Sequence, residues 1–344
     1  MKTVRVAAVQ AAPIFLDADA TVEKAVSLIE EAAGNGAEFV AFAESWLPGY
    51  PSWIFGAAGW EDAGAKKVYR RFRENAIAVP SAATDALCRA AKASGVVLVM
   101  GMTERDSETV GGTLYNSLLY VSAEGTILGV HRKLMPTHAE RIVWGQGDGS
   151  DLLVVETPVG RVGGLICWEH WMPLARFALH AKREEIHVAA WPEVGDPEMH
   201  RFASRHYAFE GRCFSICVMG ASMTAGALPD GFELPQAMGA ADDFIQSASA
   251  TAPRGTTIFA PDGSVVAEAA AGEETIVYGD LDLGQIAEEQ QALDVVGHYN
   301  RPDVFELRVD ESSRRSVVWT NPASRGDVPA QRSVEIEAVI PSGG

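Results

Sequence analysis

Three residues with chemically reactive side chains each follow an apolar run that is typical of a buried strand. Glu44 ends the run "AEFVAFAE", Lys133 ends "TILGVHRK" and Cys167 ends "VGGLIC". In layered α/β folds, ligand sites collect at the ends of strands. The sequence therefore predicts that a carboxylate, an ammonium group and a thiol meet in one catalytic site.

This set of groups suits nucleophilic catalysis. A thiol attacks an electrophilic carbon as its thiolate, so a base has to take up its proton. Glu44 is the predicted base, because its apolar surroundings would raise the pKa of a carboxylate. Lys133 would balance the negative charge that develops on the attacked group. On spacing alone the alternatives stay open: Cys167 as a small buried hydrophobic residue, Glu44 as a solvated strand tip or helix cap, and Lys133 as a surface charge.

The elements that would position these residues are strands and helices mixed along the whole chain. Apolar strands such as residues 4–10 alternate with segments of helical periodicity such as residues 21–33. Turn residues predict three hairpins, at positions 124–125, 158–160 and 261–263. Continuous apolar strands require covering helices, while the hairpins exclude a purely parallel sheet. The pattern predicts an α/β sandwich with two mixed sheets inside and helices outside.

Length and periodicity predict one large domain followed by a tail. The chain has 344 residues and is 47% hydrophobic, enough for a large core. Regular patterns continue to about residue 310 and no internal linker interrupts them. We therefore expect one domain over residues 1–310, with residues 311–344 extended or partly disordered.

Composition restricts the class of partner. Lys and Arg number 28 against 46 Asp and Glu, a formal charge of −18, which repels nucleic acid and anionic lipid but admits small neutral substrates. No run reaches the roughly 18 apolar residues of a membrane span, and no apolar leader opens the chain. The four cysteines are sparse, which favours a reducing, cytoplasmic compartment. Cys213 and Cys217 lack further ligands at zinc-site spacing, so we expect neither metal nor cofactor.

Three longer segments resemble the signature segments of the nitrilase superfamily, the carbon–nitrogen hydrolases, and a fourth resembles a C-terminal segment of true nitrilases. They occur in the expected order, and the similarity covers roughly residues 4–307. The segments are "FAESWLPGYP" (42–51), "HRKLMPTHAERIVWGQGDGSDL" (131–152), "GGLICWEHWMPLAR" (163–176) and "GHYNRPDVFEL" (297–307).

The resemblance implies a Glu-Lys-Cys triad of Glu44, Lys133 and Cys167, with a further functional glutamate at Glu140. It implies a four-layer α-β-β-α sandwich that pairs across a helical face into homodimers, which in nitrilases extend into larger spirals. "CWE" after an apolar strand and "GQGDGSDL" resemble the nitrilase branch. Many nitrilases read "CWEN" where this chain has His170, so this residue is expected to shade substrate preference.

The implied reaction is the hydrolysis of a nitrile to a carboxylic acid and ammonia through a covalent thioimidate and a thioester. The backbone N–H of Trp168 would hold developing negative charge together with Lys133. An amidase or carbamoylase of the same superfamily would use the same acyl-enzyme and stays open as an alternative. A binding or scaffold protein without chemistry is a second alternative. An oxidoreductase is disfavoured, because no Gly-x-Gly-x-x-Gly motif follows the first strand.

Aromatic residues near the strand ends are candidates for an apolar substrate pocket. We expect Trp53, Trp168, Trp191 and His170 to contact substrate, although ordinary core packing is the alternative for each tryptophan. Tyr50 lies with Trp53 in a loop with two prolines, which favours a stiff pocket wall. Glu169 is expected to hold the turn after Cys167 by buried hydrogen bonds.

Overall fold

The computed structural model describes residues 2–56, 58–106, 112–221 and 254–314. The chain divides into two units, Met1–Ser312, which is compact, and Ser313–Gly344. Only the first two residues of the second unit belong to the described residues. The predicted C-terminal tail falls mostly on that part, so it stays a prediction.

Several helices begin at a residue whose side chain caps the first turn. The side chain of Asp17 accepts a hydrogen bond from Ala20 N, and Asp196 caps a helix whose first residue is Pro197. No helix in the described part of the chain is long and apolar enough to span a lipid bilayer. The helices are α1 (Ala18–Gly34), α2 (Ala63–Glu74), α3 (Ala82–Ser94), α4 (Pro173–Ala181), α5 (Pro197–Gly211) and α6 (Gly284–Glu289).

The strands form two six-stranded sheets, and the apolar runs of the sequence form their centres. The strands are β1 (Thr3–Gln10), β2 (Phe39–Phe42), β3 (Val97–Arg105), β4 (Leu114–Val121), β5 (Ile127–Arg132), β6 (Val154–Thr157), β7 (Gly160–Ile166), β8 (Ile186–Trp191), β9 (Phe214–Met219), β10 (Arg254–Phe259), β11 (Val265–Ala270) and β12 (Thr275–Asp282).

Both sheets are mixed and share one plan. The first has the order β12-β1-β2-β3-β4-β5, and the second has the order β11-β10-β9-β8-β7-β6. In each sheet three central strands run parallel, β1-β2-β3 and β7-β8-β9, and the outer strands are antiparallel. The pairs β4-β5, β6-β7 and β10-β11 are hairpins at the predicted turns.

The two sheets face each other and are covered by helices. A single core joins β1, β2 and β4 of one sheet to β7, β9 and β10 of the other. Helices α1 and α3 pack together on the first sheet, while α5 packs on β9 and β10 of the second beside α4. The predicted α-β-β-α sandwich with two mixed sheets is confirmed.

Candidate active site

Glu44 lies two residues beyond β2, where the two sheets meet. Its backbone N–H donates to the carbonyl of Trp191 at the end of β8, 3.3 Å away, which ties an end of one sheet to the other. The backbone at Ala43 approaches β3 so closely that a Cβ on Gly101 would lie 1.8 Å from the Ala43 oxygen. A glycine at this position is therefore required for the placement of Glu44.

Lys133 follows β5 directly and is completely buried. Its backbone N–H donates to the carbonyl of Asn116 on β4 at 2.8 Å, which continues the strand pairing by one residue. The Asn116 amide donates to Glu44 Oε1 at 2.6 Å, and Lys133 Nζ lies 2.9 Å from the same oxygen. One edge of the first sheet thus fixes the carboxylate and the ammonium group together.

Cys167 comes from the second sheet, at the first position of a short 3₁₀ turn after β7, Cys167–Trp171. Its φ of 53° lies in the left-handed region, which costs a non-glycine residue about 1–3 kcal/mol. Glu169 holds the turn as expected, because its carboxylate accepts hydrogen bonds from Ile166 N at 2.7 Å and Leu134 N at 2.8 Å. It therefore also ties the Cys167 turn to the loop that follows Lys133.

Glu140 lies in the 3₁₀ turn His138–Ile142 and points toward Lys133. Its Oε2 is 2.8 Å from Lys133 Nζ and accepts from Thr137 N at 2.7 Å. Its Oε1 accepts from the hydroxyl of Tyr50 at 2.7 Å. Both carboxylate oxygens are thus partnered, which suits a residue that orients the lysine rather than one that accepts a proton.

The structure brings all four predicted catalytic residues together. A carboxylate oxygen of Glu44, one of Glu140 and the sulfur of Cys167 lie within 4.8 Å of one another, and all are buried. Such a set of ligand atoms could attract a metal ion, but the ammonium group of Lys133 already lies between the two carboxylates. The chain itself supplies the positive charge here, and the expectation that no metal is needed stays a prediction.

Burial and charge set the protonation of this cluster. Burial raises the pKa of Glu44 to about 7, although the neighbouring Lys133 opposes the rise and Glu140 adds to it. Burial and the charge of Glu44 raise the pKa of the Cys167 thiol well above its ordinary value, against Lys133 and the Trp168 N–H. Burial would lower the pKa of Lys133, but the charges of Cys167 and the two glutamates outweigh it and hold that pKa high.

One oxygen of Glu44 has no hydrogen-bond partner among the described residues. Glu44 Oε1 accepts from Asn116 and Lys133, whereas the buried Oε2 accepts from no residue in the ranges that the structure describes. A buried carboxylate oxygen without a donor has a strong tendency to bind a proton. Since the cysteine resists ionisation and the carboxylate titrates near neutrality, Glu44 is suited to remove the thiol proton at the moment of attack.

A cavity of about 970 Å³ opens over Cys167 and Glu140. Its walls are largely apolar and come from loops of both sheets and from the start of α5. Trp168, one of the predicted contacts, lines it and is 56% exposed. The other apolar side chains of the wall are Tyr50, Phe55, Trp171, Pro192, Val194 and Met199.

Three of the predicted substrate contacts do not line this cavity. Trp53 is buried against Phe72 in a separate small core, where it supports the loop of Tyr50. Trp191 ends β8 fully buried, and its indole N–H donates to Ser204 at 2.9 Å. His170 stacks on Trp191 and is 1% exposed. The structure thus places these side chains behind the described wall, and their contact with substrate stays a prediction.

Some partners in the site were not identified from the sequence. Asn116 contacts Glu44, but a single polar residue in the apolar strand "LYNSLLYV" gives only a weak signal. Tyr50 was expected in the pocket wall, and its bond to Glu140 is an addition. Trp171 lines the cavity and was not predicted to do so. Its place in the third signature segment, four residues after Cys167, was the signal that could have identified it.

Comparison with known proteins gives consistent results. The carbon–nitrogen hydrolase family matches residues 5–291. An aliphatic nitrilase of Rhodococcus rhodochrous is 37% identical over 96% of this chain and 86% of its own. A bifunctional nitrilase/nitrile hydratase of Lupinus angustifolius is 40% identical over 94% and 90%. The crystal structure of a Saccharomyces cerevisiae member of branch 10 of the nitrilase superfamily has a TM-score of 0.66 at 17% identity, covering 87% of this chain and 97% of that one.

Proposed function

The chain belongs to the carbon–nitrogen hydrolase family, and from this premise we propose that it is a nitrilase, hydrolysing a nitrile to the carboxylic acid and ammonia. Family membership was predicted from the signature segments and is confirmed. The observation that supports the proposal most is a cluster in which one carboxylate oxygen each of Glu44 and Glu140 and the Cys167 sulfur lie within 4.8 Å of one another. Within the described part of the chain, Glu44 Oε2 has no hydrogen-bond partner. The names of the relatives favour nitriles over other carbon–nitrogen substrates.

The first step is the addition of the thiol across the carbon–nitrogen triple bond. Glu44 takes the proton from Cys167 while the sulfur attacks the nitrile carbon, and the proton passes to the nitrile nitrogen. The product is a thioimidate, R–C(=NH)–S–Cys167. Because the pKa of Glu44 is raised to about 7, the carboxylate can both accept and return this proton near neutral pH.

Two waters complete the reaction. Glu44 activates the first water, which adds to the thioimidate carbon and gives a tetrahedral intermediate, R–C(OH)(NH₂)–S–Cys167. Loss of ammonia leaves a thioester, and a second water hydrolyses it to the acid and the free thiol. The sum is one nitrile and two waters to one acid and one ammonia.

In the proposed mechanism, Lys133 and the backbone N–H of Trp168 hold the developing charge. The ammonium group is fixed by Glu44 and Glu140 at 2.9 and 2.8 Å, so it needs no reorganisation during the reaction. The Trp168 N–H is the backbone donor next to Cys167 in the chain, and it lowers the pKa of the Cys167 thiol. Both groups thus favour negative charge on the Cys167 sulfur, because each of them lowers the pKa of the thiol.

The tetrahedral intermediate has a second exit. If the C–S bond breaks before the C–N bond, the products are an amide and the free thiol. A relative named a bifunctional nitrilase/nitrile hydratase favours this outcome as a minor reaction of the present chain. The ratio of acid to amide then depends on which leaving group the site protonates.

A substrate panel tests the proposal. Aliphatic, aromatic and arylacetic nitriles and their matching amides are incubated with the enzyme, and ammonia, acid and amide are measured. We expect ammonia and acid from nitriles, with Cys167→Ala as the inactive control. Fast ammonia release from amides and none from nitriles would establish the amidase alternative instead. An intact protein mass that is unchanged after a reactive nitrile, together with no turnover, would favour a scaffold.

Assembly into homodimers or larger spirals is also part of the proposal. An exposed apolar strip on α4 and α5 supports pairing through this helical face, because large exposed apolar patches mark interfaces. Its members Leu174, Phe202 and Phe209 are 68%, 57% and 47% exposed. Sedimentation of the wild type beside Leu174→Asp tests it: a dimer that dissociates in the variant supports the interface, and unchanged assembly contradicts it.

We also propose a cytoplasmic location. All four cysteines of the chain are free thiols, as expected in a reducing compartment. The nucleophile in particular has to stay reduced to act. Fractionation of cells that express the full chain tests this location.

A further inference from the structure

A chain of buried hydrogen bonds starts at the carbonyl of Cys167, away from its sulfur. The Cys167 oxygen is 2.7 Å from His170 Nδ1, His170 Nε2 is 3.0 Å from His187 Nε2, and His187 Nδ1 is 2.9 Å from Glu184 Oε2. All three side chains are buried, and none lines the cavity. We call His170, His187 and Glu184 the histidine relay.

The hydrogens of the relay can be counted from its geometry. A carbonyl oxygen only accepts, so His170 Nδ1 bears a hydrogen. One hydrogen must lie between the two Nε2 atoms, and one between His187 Nδ1 and Glu184. Two neutral imidazoles provide two hydrogens, so the third is an additional proton. The relay is therefore complete only when it holds one extra proton and has no net charge.

The extra proton can lie on His187 or on the Glu184 carboxyl, and both positions give the same hydrogen-bonded pairs. Burial opposes ionisation of Glu184, but His187 and His180 lower its pKa to about 2, which favours the ion pair of a carboxylate and an imidazolium. Burial lowers the pKa of His187 against the charge of Glu184, which favours a neutral pair with the proton on the carboxyl. In both forms His187 donates through Nε2 to His170, and His170 donates to Cys167.

The relay ends at the carbonyl oxygen of a peptide unit whose N–H also belongs to the proposed active site. The oxygen that His170 binds belongs to the Cys167–Trp168 peptide, whose N–H follows Cys167 directly in the chain and lowers the pKa of its thiol. A hydrogen bond to the oxygen of an amide polarises the group and strengthens its N–H as a donor. It also fixes the plane of the peptide, and the left-handed φ of Cys167 at 53° has to be held by such contacts.

We propose that the histidine relay aims and polarises the Trp168 N–H, so that His170, His187 and Glu184 are positioning residues for the attack by Cys167. This inference rests on the proposed function, because the N–H is assigned there to the developing charge. The three relay residues do not line the cavity, and they act on the site through the Cys167–Trp168 peptide bond.

The surroundings hold the relay in a single arrangement. Tyr207 donates its hydroxyl to Glu184 Oε1 and stacks on His187 with ring centroids 3.6 Å apart. Trp191 stacks on His170 with centroids 4.9 Å apart. Arg176 donates to the carbonyl of His170 at 2.8 Å. Rings packed on both histidines leave them little freedom to turn to other partners.

Two substitutions separate the hydrogen pattern from simple packing. In Glu184→Gln, the amide NH₂ can donate to His187 Nδ1 while the amide oxygen accepts from Tyr207, so every bond of the relay remains without the extra proton. In His187→Phe, the ring keeps its stack on Tyr207 but can neither donate nor accept. Glu184→Met breaks the relay at the other end at similar volume and serves if the phenylalanine variant does not fold.

The readouts are kcat and KM for a nitrile and the rate at which iodoacetamide alkylates Cys167, with thermal unfolding as the check of folding. We expect His187→Phe and Glu184→Met to lose about 10- to 100-fold in kcat, more than KM changes, and to slow alkylation. Glu184→Gln should stay within about threefold of the wild type. Glu156→Met, at an exposed position of β6, is the matched control, and Cys167→Ala gives the background of labelling.

Two results would overturn the relay. One is a folded His187→Phe or Glu184→Met with wild-type kcat and alkylation rate. The other is a folded Glu184→Gln as impaired as Glu184→Met. If the wild type hydrolyses no nitrile, the proposed function fails, whereas the alkylation rates of the variants still decide the relay.

Discussion

Two groups of buried residues meet at Cys167, and the pKa values of their glutamates, Glu44 and Glu184, are shifted in opposite directions. At the sulfur, burial raises the pKa of Glu44 to about 7, and its Oε2 has no partner among the described residues. At the carbonyl, His187 and His180 outweigh burial and lower the pKa of Glu184 to about 2, and both of its oxygens accept hydrogen bonds.

The difference lies in the neighbours rather than in burial, since both glutamates are almost completely enclosed. Glu44 shares one lysine with a second carboxylate, Glu140, so the positive charge does not satisfy both fully. Glu184 accepts from Tyr207, pairs with His187 and has His180 Nδ1 3.5 Å from its Oε1. An incompletely satisfied carboxylate can move a proton, whereas a satisfied one holds a structure in place.

The largest effect is expected at the sulfur itself. Cys167→Ala removes the nucleophile and should lower kcat/KM for nitriles by at least about 10⁴-fold. The fold should be kept, because the side chain is small and only its sulfur is lost. Ammonia release and thermal unfolding measured on one preparation check both statements. Turnover by a verified alanine variant would rule out a covalent mechanism.

Glu44→Gln should have the next largest effect, because it removes the proton acceptor and leaves the volume unchanged. We expect a loss of about 10²- to 10⁴-fold in kcat. Glu169→Gln is a matched control with a structural carboxylate: it should lower stability, with a smaller loss of rate. An equal loss of rate in folded samples of both variants would place the base elsewhere.

The pH dependence tests the same assignment. Glu44 acts only as the carboxylate, and its pKa is raised to about 7. We therefore expect kcat/KM to have its full value above pH 7 and to fall as the pH drops through 7. The slope should approach one decade per pH unit below the pKa. A profile that stays flat down to about pH 5 would contradict the raised pKa of Glu44.

A smaller effect is expected from Tyr50→Phe, which removes only the hydroxyl that donates to Glu140 at 2.7 Å. Glu140 keeps Lys133 and Thr137 N as partners, so we expect a fall of about 10-fold in kcat and little change in folding. Stopped assays with one nitrile at saturating concentration measure it. A wild-type kcat would show that Lys133 and the backbone suffice to hold Glu140.

The smallest effects should separate the wall of the cavity from the layer behind it. Trp171→Ala changes the described wall and should lower kcat/KM by up to about 10-fold for aromatic nitriles, with less change for small aliphatic ones. Trp191 lies behind the wall, so Trp191→Phe should lower the stability of the fold. We expect a small loss of kcat/KM that is equal for all substrates. A change of substrate preference in Trp191→Phe would restore it as a substrate contact.

Local sequence determined the elements and the identity of the reactive groups. Apolar runs predicted the strands, turn residues predicted the hairpins at β4-β5, β6-β7 and β10-β11, and the last residues of the runs predicted Glu44, Lys133 and Cys167. The resemblance of the longer segments added Glu140. These features depend on neighbours within a few residues along the chain, so the sequence alone contains them.

Tertiary structure decided which of these groups touch and which side chains line the cavity. Asn116 is 72 residues from Glu44, and Glu140 is 90 from Tyr50, so only the packing of strands and loops sets these pairs. The tryptophans show the same limit: Trp168 lines the cavity while Trp191, which also follows a strand pattern, lies buried under it. Strand periodicity places a side chain on one face of a sheet, but the partner sheet and the loops determine whether that face meets protein or a ligand.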